Sequence, residues 1–86
     1  MALSLTRRAG RDLDALDRPT RAVVLEALHR LEGGTPNLDV KPLAGHAPWQ
    51  RFRVGIYRVV FHPVGDLLIV TRIVHRRDLE LAVKTL

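Results

Sequence analysis

Three arginines and a tyrosine lie close together in the segment RFRVGIYRVVF, residues 51 to 61. Arg51, Arg53 and Arg58 alternate with apolar residues that favour β-strands, and Gly55-Ile56 separates the two apolar runs. If Gly55-Ile56 is the loop of a two-residue hairpin, Arg53 faces Arg58 and all three arginines lie on one face of a sheet. Guanidinium groups on rigid strands bind phosphate through paired hydrogen bonds, so this pattern predicts a phosphate-binding surface.

The facing pair of Arg53 and Arg58 can be interpreted in two ways. Like charges directly opposite each other across two strands cost about 0.2 to 1 kcal/mol, which a bound anion offsets. Alternatively, the long arginine stems cover a solvent-exposed sheet face, or pair with carboxylates from elsewhere in the chain. Residues 41 to 77 carry seven basic side chains and only one acidic side chain, Asp66, so we favour phosphate binding.

The net charge of +5 is unevenly distributed along the chain. Residues 1 to 40 carry six basic and six acidic side chains, and residues 78 to 86 carry one against two. The three segments therefore contribute 0, +6 and −1. This asymmetry indicates a basic surface that faces a polyanion, although a basic composition that only aids solubility is the alternative.

The secondary structure around these residues can be predicted from apolar spacing and turn residues. We predict a short strand over residues 2 to 5, a helix over residues 7 to 16, and a second helix capped by Asp17 that ends at Gly33 and Gly34. Residues 35 to 49 contain three prolines and are expected to form an ordered loop.

From residue 50 onwards the apolar period changes from helical to alternating. Strands over residues 50 to 54, 57 to 62 and 67 to 75, with the turn PVGD between the last two, predict a three-stranded antiparallel meander. Residues 78 to 86 are expected to form a short amphipathic helix or a docking tail. The predicted fold class is α+β, with two N-terminal helices packed on one face of a small, mainly antiparallel twisted sheet. The apolar side of the hairpin should face those helices, and it consists of Phe52, Val54, Tyr57, Val59 and Phe61.

The last strand ends in VHRRD, which adds basic groups beside the hairpin. If His62 pairs with Leu67, His75 lies on the face that carries Arg58. If the turn is one residue longer, Arg72 and Arg76 lie there instead.

Length and composition exclude several classes of protein. The 86 residues predict a single domain, 1–86, without cysteine, and the four histidines show no usual ligand spacing, so we expect no metal and no cofactor. No apolar run is long enough to span a membrane, and the start MALSLTRRAG lacks the apolar segment of a signal peptide. We therefore expect a cytoplasmic protein that does not interact with membranes.

These segments together resemble the RelE/ParE superfamily of toxin-antitoxin systems. The resemblance rests on the helix text GRDLDAL, the loop KPLAG, the block W-x-R-x-R-V-G-x-Y-R-V-V-F and a closing H-R-R-D, and its specific part runs from Lys41 to Asp78. RelE-type members cut messenger RNA in the ribosomal A site and are neutralised by a cognate antitoxin. The resemblance therefore implies an endoribonuclease with two partners, an antitoxin and ribosome-bound mRNA.

The resemblance also implies roles for individual residues. The catalytic candidates are Arg51, Arg53, Arg58, His75 and Arg76. RNA contacts are expected from Lys41, His46, Trp49, Arg72 and Arg77, although Trp49 more often anchors a loop and a loop lysine is usually solvated. The tyrosine that many members carry near the C-terminus would align near Glu80.

The implied reaction is attack of a ribose 2′-hydroxyl on the adjacent phosphate. Arginines suit charge stabilisation but stay protonated, so the proton acceptor would be His75, Glu80, the ribosome or the RNA itself. Two alternative functions remain open: a ParE-like inhibitor of DNA gyrase without nuclease activity, and a catalytically decayed RNA-binding or protein-binding module.

Overall fold

The computed structural model describes residues 1–86, which form five strands, three α-helices and one 3-10 helix. In chain order these are β1 (Ala2–Leu5), α1 (Arg7–Asp14), α2 (Arg18–Glu32), β2 (Val40–Pro42), β3 (Gln50–Val54), β4 (Tyr57–Val64), β5 (Leu67–His75), the 3-10 helix (Arg76–Asp78) and α3 (Leu79–Val83).

All five strands belong to one sheet with the order β1-β5-β4-β3-β2. The strands β3, β4 and β5 form the predicted antiparallel meander, β2 adds to it in antiparallel orientation, and β1 lies parallel to β5. The α+β class and the mainly antiparallel sheet are therefore confirmed.

The two N-terminal helices begin at side-chain caps. The Thr6 hydroxyl accepts a hydrogen bond from the Ala9 N–H at 3.1 Å, and the Asp17 carboxylate accepts one from the Thr20 N–H at 3.4 Å. The predicted capping role of Asp17 is confirmed. Helix α1 ends at Asp14, two residues earlier than predicted, and α2 ends at Glu32 with Gly33 as its C-cap. The longest helix, α2, has 15 residues, and no helix has the length and hydrophobicity that a membrane-spanning helix needs.

The core lies between these helices and one face of the sheet. Phe52, Val59 and Phe61 are at most 4% exposed and pack in one cluster with apolar residues of both helices. Val54 is partly buried against this cluster, whereas Tyr57 lies outside it. The predicted orientation is thus confirmed for all five residues, but only four of them belong to the core cluster or pack against it, since Tyr57 contacts His75 instead.

The predicted loop over residues 35 to 49 contains a strand. β2 pairs with β3 through Val40–Phe52, Lys41–Arg51 and Pro42–Gln50. Proline is tolerated here because β2 is an edge strand, so Pro42 needs no N–H for a further neighbour.

The turn between β4 and β5 is shorter than predicted, because β4 continues through Pro63 and Val64 and leaves Gly65-Asp66 as the connection. The pairing also shifts by one residue within the strands: Phe61 pairs with Val70, but Val60 pairs with Arg72. Thr71 is thus the extra residue of a β-bulge, and the side chains of β5 beyond it change face relative to those before it.

The C-terminal segment forms the 3-10 helix and the short helix α3, not an extended tail. Ala82 of α3 is 4% exposed, and the Arg76 N–H donates to the Ile56 carbonyl at 2.7 Å. The chain after β5 is thereby attached to the Gly55-Ile56 turn.

Candidate functional site

The face of the sheet opposite α1 and α2 carries the basic side chains of the strands. Val54 pairs with Tyr57 and Arg53 pairs with Arg58, so the predicted hairpin register is confirmed. Lys41 of β2 pairs with Arg51 of β3 on the same face. We call the surface formed by Lys41, Arg51, Arg53 and Arg58 the basic face.

Arg58 lies near the centre of this surface. Its Nη1 donates to the carbonyls of Gly55 and Tyr57, each at 3.0 Å, so the side chain is held against the hairpin turn. Burial lowers the pKa of Arg58, the positive charges of Arg53, Arg51 and Arg76 lower it further, and Asp39 opposes the shift. Arginine remains protonated despite such a shift, so Arg58 is a site of concentrated positive charge and not a base.

Arg76 joins this group from outside the strands. It is exposed in the 3-10 helix after β5, and its charge contributes to the lowered pKa of Arg58. Neither predicted register occurs, because His62 pairs with Ile69, but the β-bulge at Thr71 places Arg72 opposite Val60, on the face that carries Arg58. We define the arginine cluster as Arg51, Arg53, Arg58 and Arg76.

One carboxylate that the sequence analysis missed lies within the arginine cluster. Asp39 places Oδ1 3.3 Å from Arg51 Nη1 and Oδ2 3.9 Å from Arg53 Nη1. It belongs to the acidic first half of the chain, and the pairing of β2 with β3 brings it to the arginines. Recognising β2 in the sequence would have been the signal, because the residue before Val40 then lies beside β3.

The structure separates Arg72 from the arginine cluster. Its Nε and Nη2 donate to the two carboxylate oxygens of Asp12 in α1, at 2.8 and 3.3 Å, and both side chains are less than a fifth exposed. The same carboxylate accepts a hydrogen bond from the Ile73 N–H at 2.9 Å. Arg72 therefore links β5 to α1. Its Nε and Nη2 donors that bind Asp12 are not available to RNA.

His75 lies on the other face of the sheet. Because of the β-bulge it pairs with Tyr57, and the two rings meet edge to face with centroids 5.9 Å apart. Its Nδ1 accepts a hydrogen bond from the Arg77 N–H at 3.1 Å, which caps the 3-10 helix. Of the two predicted arrangements, the one with His75 and Arg58 on the same face is not observed, because the extra residue Thr71 in β5 moves His75 to the other face.

The remaining predicted contacts are distributed around the basic face. Trp49 stacks at a tilt on His62 of β4, with ring centroids 4.1 Å apart, so it anchors the loop that precedes β3. His46 and Glu80 line a groove of about 440 Å³ between that loop and α3. Arg77 is exposed, with Nε 3.9 Å from the carboxylate of Asp78.

The arrangement favours electrostatic stabilisation of an anion. Asp39 is the one carboxylate in contact with the arginine cluster, where it pairs with Arg51 and Arg53, so the four guanidinium groups keep an excess of three positive charges. Lys41 adds a further cation at the edge. No group of three or more histidine and carboxylate side chains is placed so that it could hold a metal ion.

Comparison with known proteins identifies the family. The model of the family described as ParE toxin of type II toxin-antitoxin system, parDE, matches residues 3–80. The chain belongs to this family. The RelE/ParE resemblance recognised in the sequence is therefore confirmed.

Individual relatives agree with this assignment. Toxin RelE3 of Methanocaldococcus jannaschii is 38% identical over 42 residues, which cover 49% of this chain and 48% of that relative, so the match spans about half of its length. The RelB–RelE antitoxin–toxin complex from Methanococcus jannaschii is 22% identical, with a TM-score of 0.75, over 91% of this chain and 95% of that one. The RelBE2 toxin–antitoxin complex from Mycobacterium tuberculosis is 28% identical, with a TM-score of 0.75, over 87% and 96%.

Within this RelE/ParE fold, four of the five predicted catalytic residues come together as the arginine cluster, and His75 does not. Their catalytic roles, and the RNA contacts of Lys41, His46, Trp49, Arg72 and Arg77, remain predictions.

Proposed function

We propose that the RelE/ParE domain of residues 1–86 is the toxin of a type II toxin-antitoxin module and cleaves mRNA on the ribosome. The observation that carries this proposal is the arginine cluster, in which three strand arginines and Arg76 converge beside one hairpin turn. Such a cluster suits a reaction in which negative charge accumulates on a phosphodiester. The curated relative carries the name RelE3, which supports the RelE-type over the ParE-type activity.

In this reaction the 2′-hydroxyl of a ribose attacks the adjacent phosphorus, and the bond to the departing 5′-oxygen breaks. We assign charge stabilisation to Arg58 and Arg76 at the scissile phosphate, and binding of the flanking backbone to Arg51 and Arg53. Fixed guanidinium groups stabilise this charge without reorganisation during the reaction.

The proton acceptor lies outside the arginine cluster, because guanidinium groups hold their protons. His75 faces away, and its Nδ1 is already an acceptor for the Arg77 N–H. Glu80 is exposed and lines the groove beside His46, so it is the remaining carboxylate candidate on this side of the molecule. The alternative is a group supplied by the ribosome or by the RNA.

The decisive experiment is cleavage of a defined message on translating ribosomes, mapped by primer extension. Wild-type protein should produce codon-phased cuts, and Arg58→Ala should lower the cleavage rate about 10²- to 10³-fold. Arg30→Ala is the matched control, because Arg30 is an exposed arginine of α2 paired with Glu26 on the other side of the molecule. Absence of phased cuts with folded wild-type protein would refute the nuclease proposal.

A pH–rate profile tests the role of Glu80. If its carboxylate takes the proton, Glu80→Gln lowers the rate and removes the acid limb of the profile. A lower rate with an unchanged profile would assign the proton acceptor to the RNA or the ribosome.

The family description itself favours a second candidate, a ParE-like inhibitor of DNA gyrase. A supercoiling assay with purified gyrase separates the two activities. Inhibition that survives Arg58→Ala would establish this second function, since it would not use the arginine cluster.

A cognate antitoxin is the proposed protein partner. The solved relatives are antitoxin–toxin complexes, and the basic face suits a partner segment that carries acidic residues. Because ribosome-bound message is the proposed target, we place the protein in the cytoplasm. Co-expression with an acidic antitoxin should restore growth and yield a stable complex on gel filtration.

A further inference from the structure

Asp39 is the acidic side chain in contact with the arginine cluster, and its backbone fixes its position. Its carbonyl accepts a hydrogen bond from the Arg53 N–H at 2.9 Å, which continues the β2–β3 ladder by one residue. The carboxylate therefore lies over β3, where one oxygen faces Arg51 and the other faces Arg53.

The contacts of this carboxylate are weak enough for an anionic ligand to displace them. The Asp39 side chain is 41% exposed, the Arg53 side chain is 57% exposed, and their closest approach is 3.9 Å. Arg51 is held more closely, at 3.3 Å, and is 20% exposed. Exposed ion pairs of this length contribute little to stability, so the carboxylate is a weak and replaceable counterion.

A phosphodiester and this carboxylate attract the same guanidinium groups. The Arg51 Nη1–H that donates to Asp39 at 3.3 Å cannot also donate to a phosphate, whereas Arg53, with Nη1 3.9 Å from the carboxylate, is attracted by charge without a hydrogen bond. A bound phosphate would also experience repulsion from the nearby carboxylate, which is stronger in this partly desolvated site than in bulk water.

We propose that Asp39 is a built-in competitor that occupies Arg51 and Arg53 and lowers the affinity of the basic face for free single-stranded nucleic acid. This inference rests on the proposed function in one respect, namely that the basic face binds phosphodiesters. The consequence is specificity for a nucleic-acid backbone that is held in place. Arg58 and Arg76 have no carboxylate in contact and are available to any phosphate. Arg51 and Arg53 bind only a backbone that further contacts hold in position.

The test is the affinity for a short, fluorescein-labelled single-stranded oligodeoxynucleotide, measured by fluorescence anisotropy at low salt. This probe lacks the 2′-hydroxyl, so binding is measured without cleavage and independently of the nuclease proposal. Asp39→Asn should bind about two- to fivefold more tightly than wild type, which corresponds to the loss of one exposed ion pair. Asp39→Ser is a second variant that keeps the backbone carbonyl and removes the carboxylate.

The matched control is Asp66→Asn, which removes the same charge at the far end of β4, in the Gly65-Asp66 turn. A gain of the same size in this control would show a general effect of net charge and overturn the proposal. Equal or weaker binding by both Asp39 variants would overturn it too, because Asp39 would then position the arginines and not compete for them. Absence of binding by all proteins would also refute it.

A double-mutant cycle provides a second readout. If Asp39 occupies Arg51, then Arg51→Gln should lower the affinity less in the wild-type background than in Asp39→Asn. An equal loss in both backgrounds would contradict competition. Should ribosomal cleavage be absent while this pattern holds, the nuclease proposal fails and the competitor role of Asp39 stands.

Discussion

The two faces of the sheet are formed by the same strands, but one forms the core with the helices and the other carries the arginines. On the helix face, Phe52, Val59 and Phe61 are nearly or fully buried. On the basic face, their immediate neighbours Arg51, Arg53 and Arg58 repel one another and share a single carboxylate. Strand alternation thus separates most of the core from the arginines, although Val60 and Val74, which lie opposite Arg51 and Arg58 on the basic face, are also buried. The helix face supplies the free energy of folding that allows like charges to be held together on the other side.

The greatest change in stability is expected on the helix face. Phe61 is 2% exposed in the core cluster, so Phe61→Ala should lower the free energy of unfolding by about 3–5 kcal/mol. Chemical denaturation followed by circular dichroism measures this loss. The contrast between the two faces would fail if Arg53→Ala, the exposed control on the basic face, were as damaging.

The ion pair between Arg72 and Asp12 is an exception to this division between the two faces. Arg72 has the strand parity of the basic face, yet it stabilises the fold. Asp12→Ala leaves the Arg72 guanidinium and the Ile73 N–H without their carboxylate partner, so it should cost about 2 kcal/mol. Thermal and chemical unfolding test this value. Asp14→Ala, an exposed residue of the same helix, is the control and should change stability little; equal losses would contradict the assigned role of Asp12.

A smaller effect of opposite sign is expected within the arginine cluster. Arg53→Gln removes the cross-strand repulsion with Arg58, so it should raise stability by about 0.2–1 kcal/mol at low salt. The gain should shrink as ionic strength increases, because salt screens exposed charges. A loss of stability at low salt would mean that the 3.9 Å contact with Asp39 outweighs the repulsion.

A change that depends on pH is expected at the cap of α2. The side-chain hydrogen bond with Thr20 lowers the pKa of Asp17, so its stabilising contribution is complete above its unfolded pKa and disappears as pH falls through the folded value. Asp17→Ala should therefore lower the melting temperature near neutral pH, and the difference should become smaller in acid, where the protonated carboxyl is only a neutral acceptor at the cap. Asp17→Asn keeps an oxygen acceptor at the cap and should not show this pH dependence. A constant difference at all pH values would contradict the role of the charge.

Local sequence signals were sufficient for the hairpin and the helices. The two-residue connection Gly55-Ile56, with the alternation of Arg51 to Val54 before it, determines the pairing of Arg53 with Arg58. The cap residue Asp17 and the terminal Gly33 determine the limits of α2 in the same local way.

The parts that were missed depend on contacts between distant residues. Asp39 and Arg51 are 12 positions apart and meet only because β2 joins the sheet edge, while Asp12 and Arg72 are 60 positions apart. The strand β2 has three residues, one of them proline, so propensity does not reveal it. The bulge at Thr71 has no local signature either, although it decides whether His75 or Arg76 joins Arg58.

The extra residue Thr71 offsets the two ends of β5 from each other. The half next to Gly65-Asp66 pairs with both β1 and β4, whereas the half next to Arg58 pairs with β4 one position further along. Insertion or deletion of one residue at this point would turn the side chains from Arg72 onwards to the opposite face of the sheet, although none of these residues would change its identity. The residues that form the arginine cluster therefore depend on the length of β5 as much as on the identity of the residues in it.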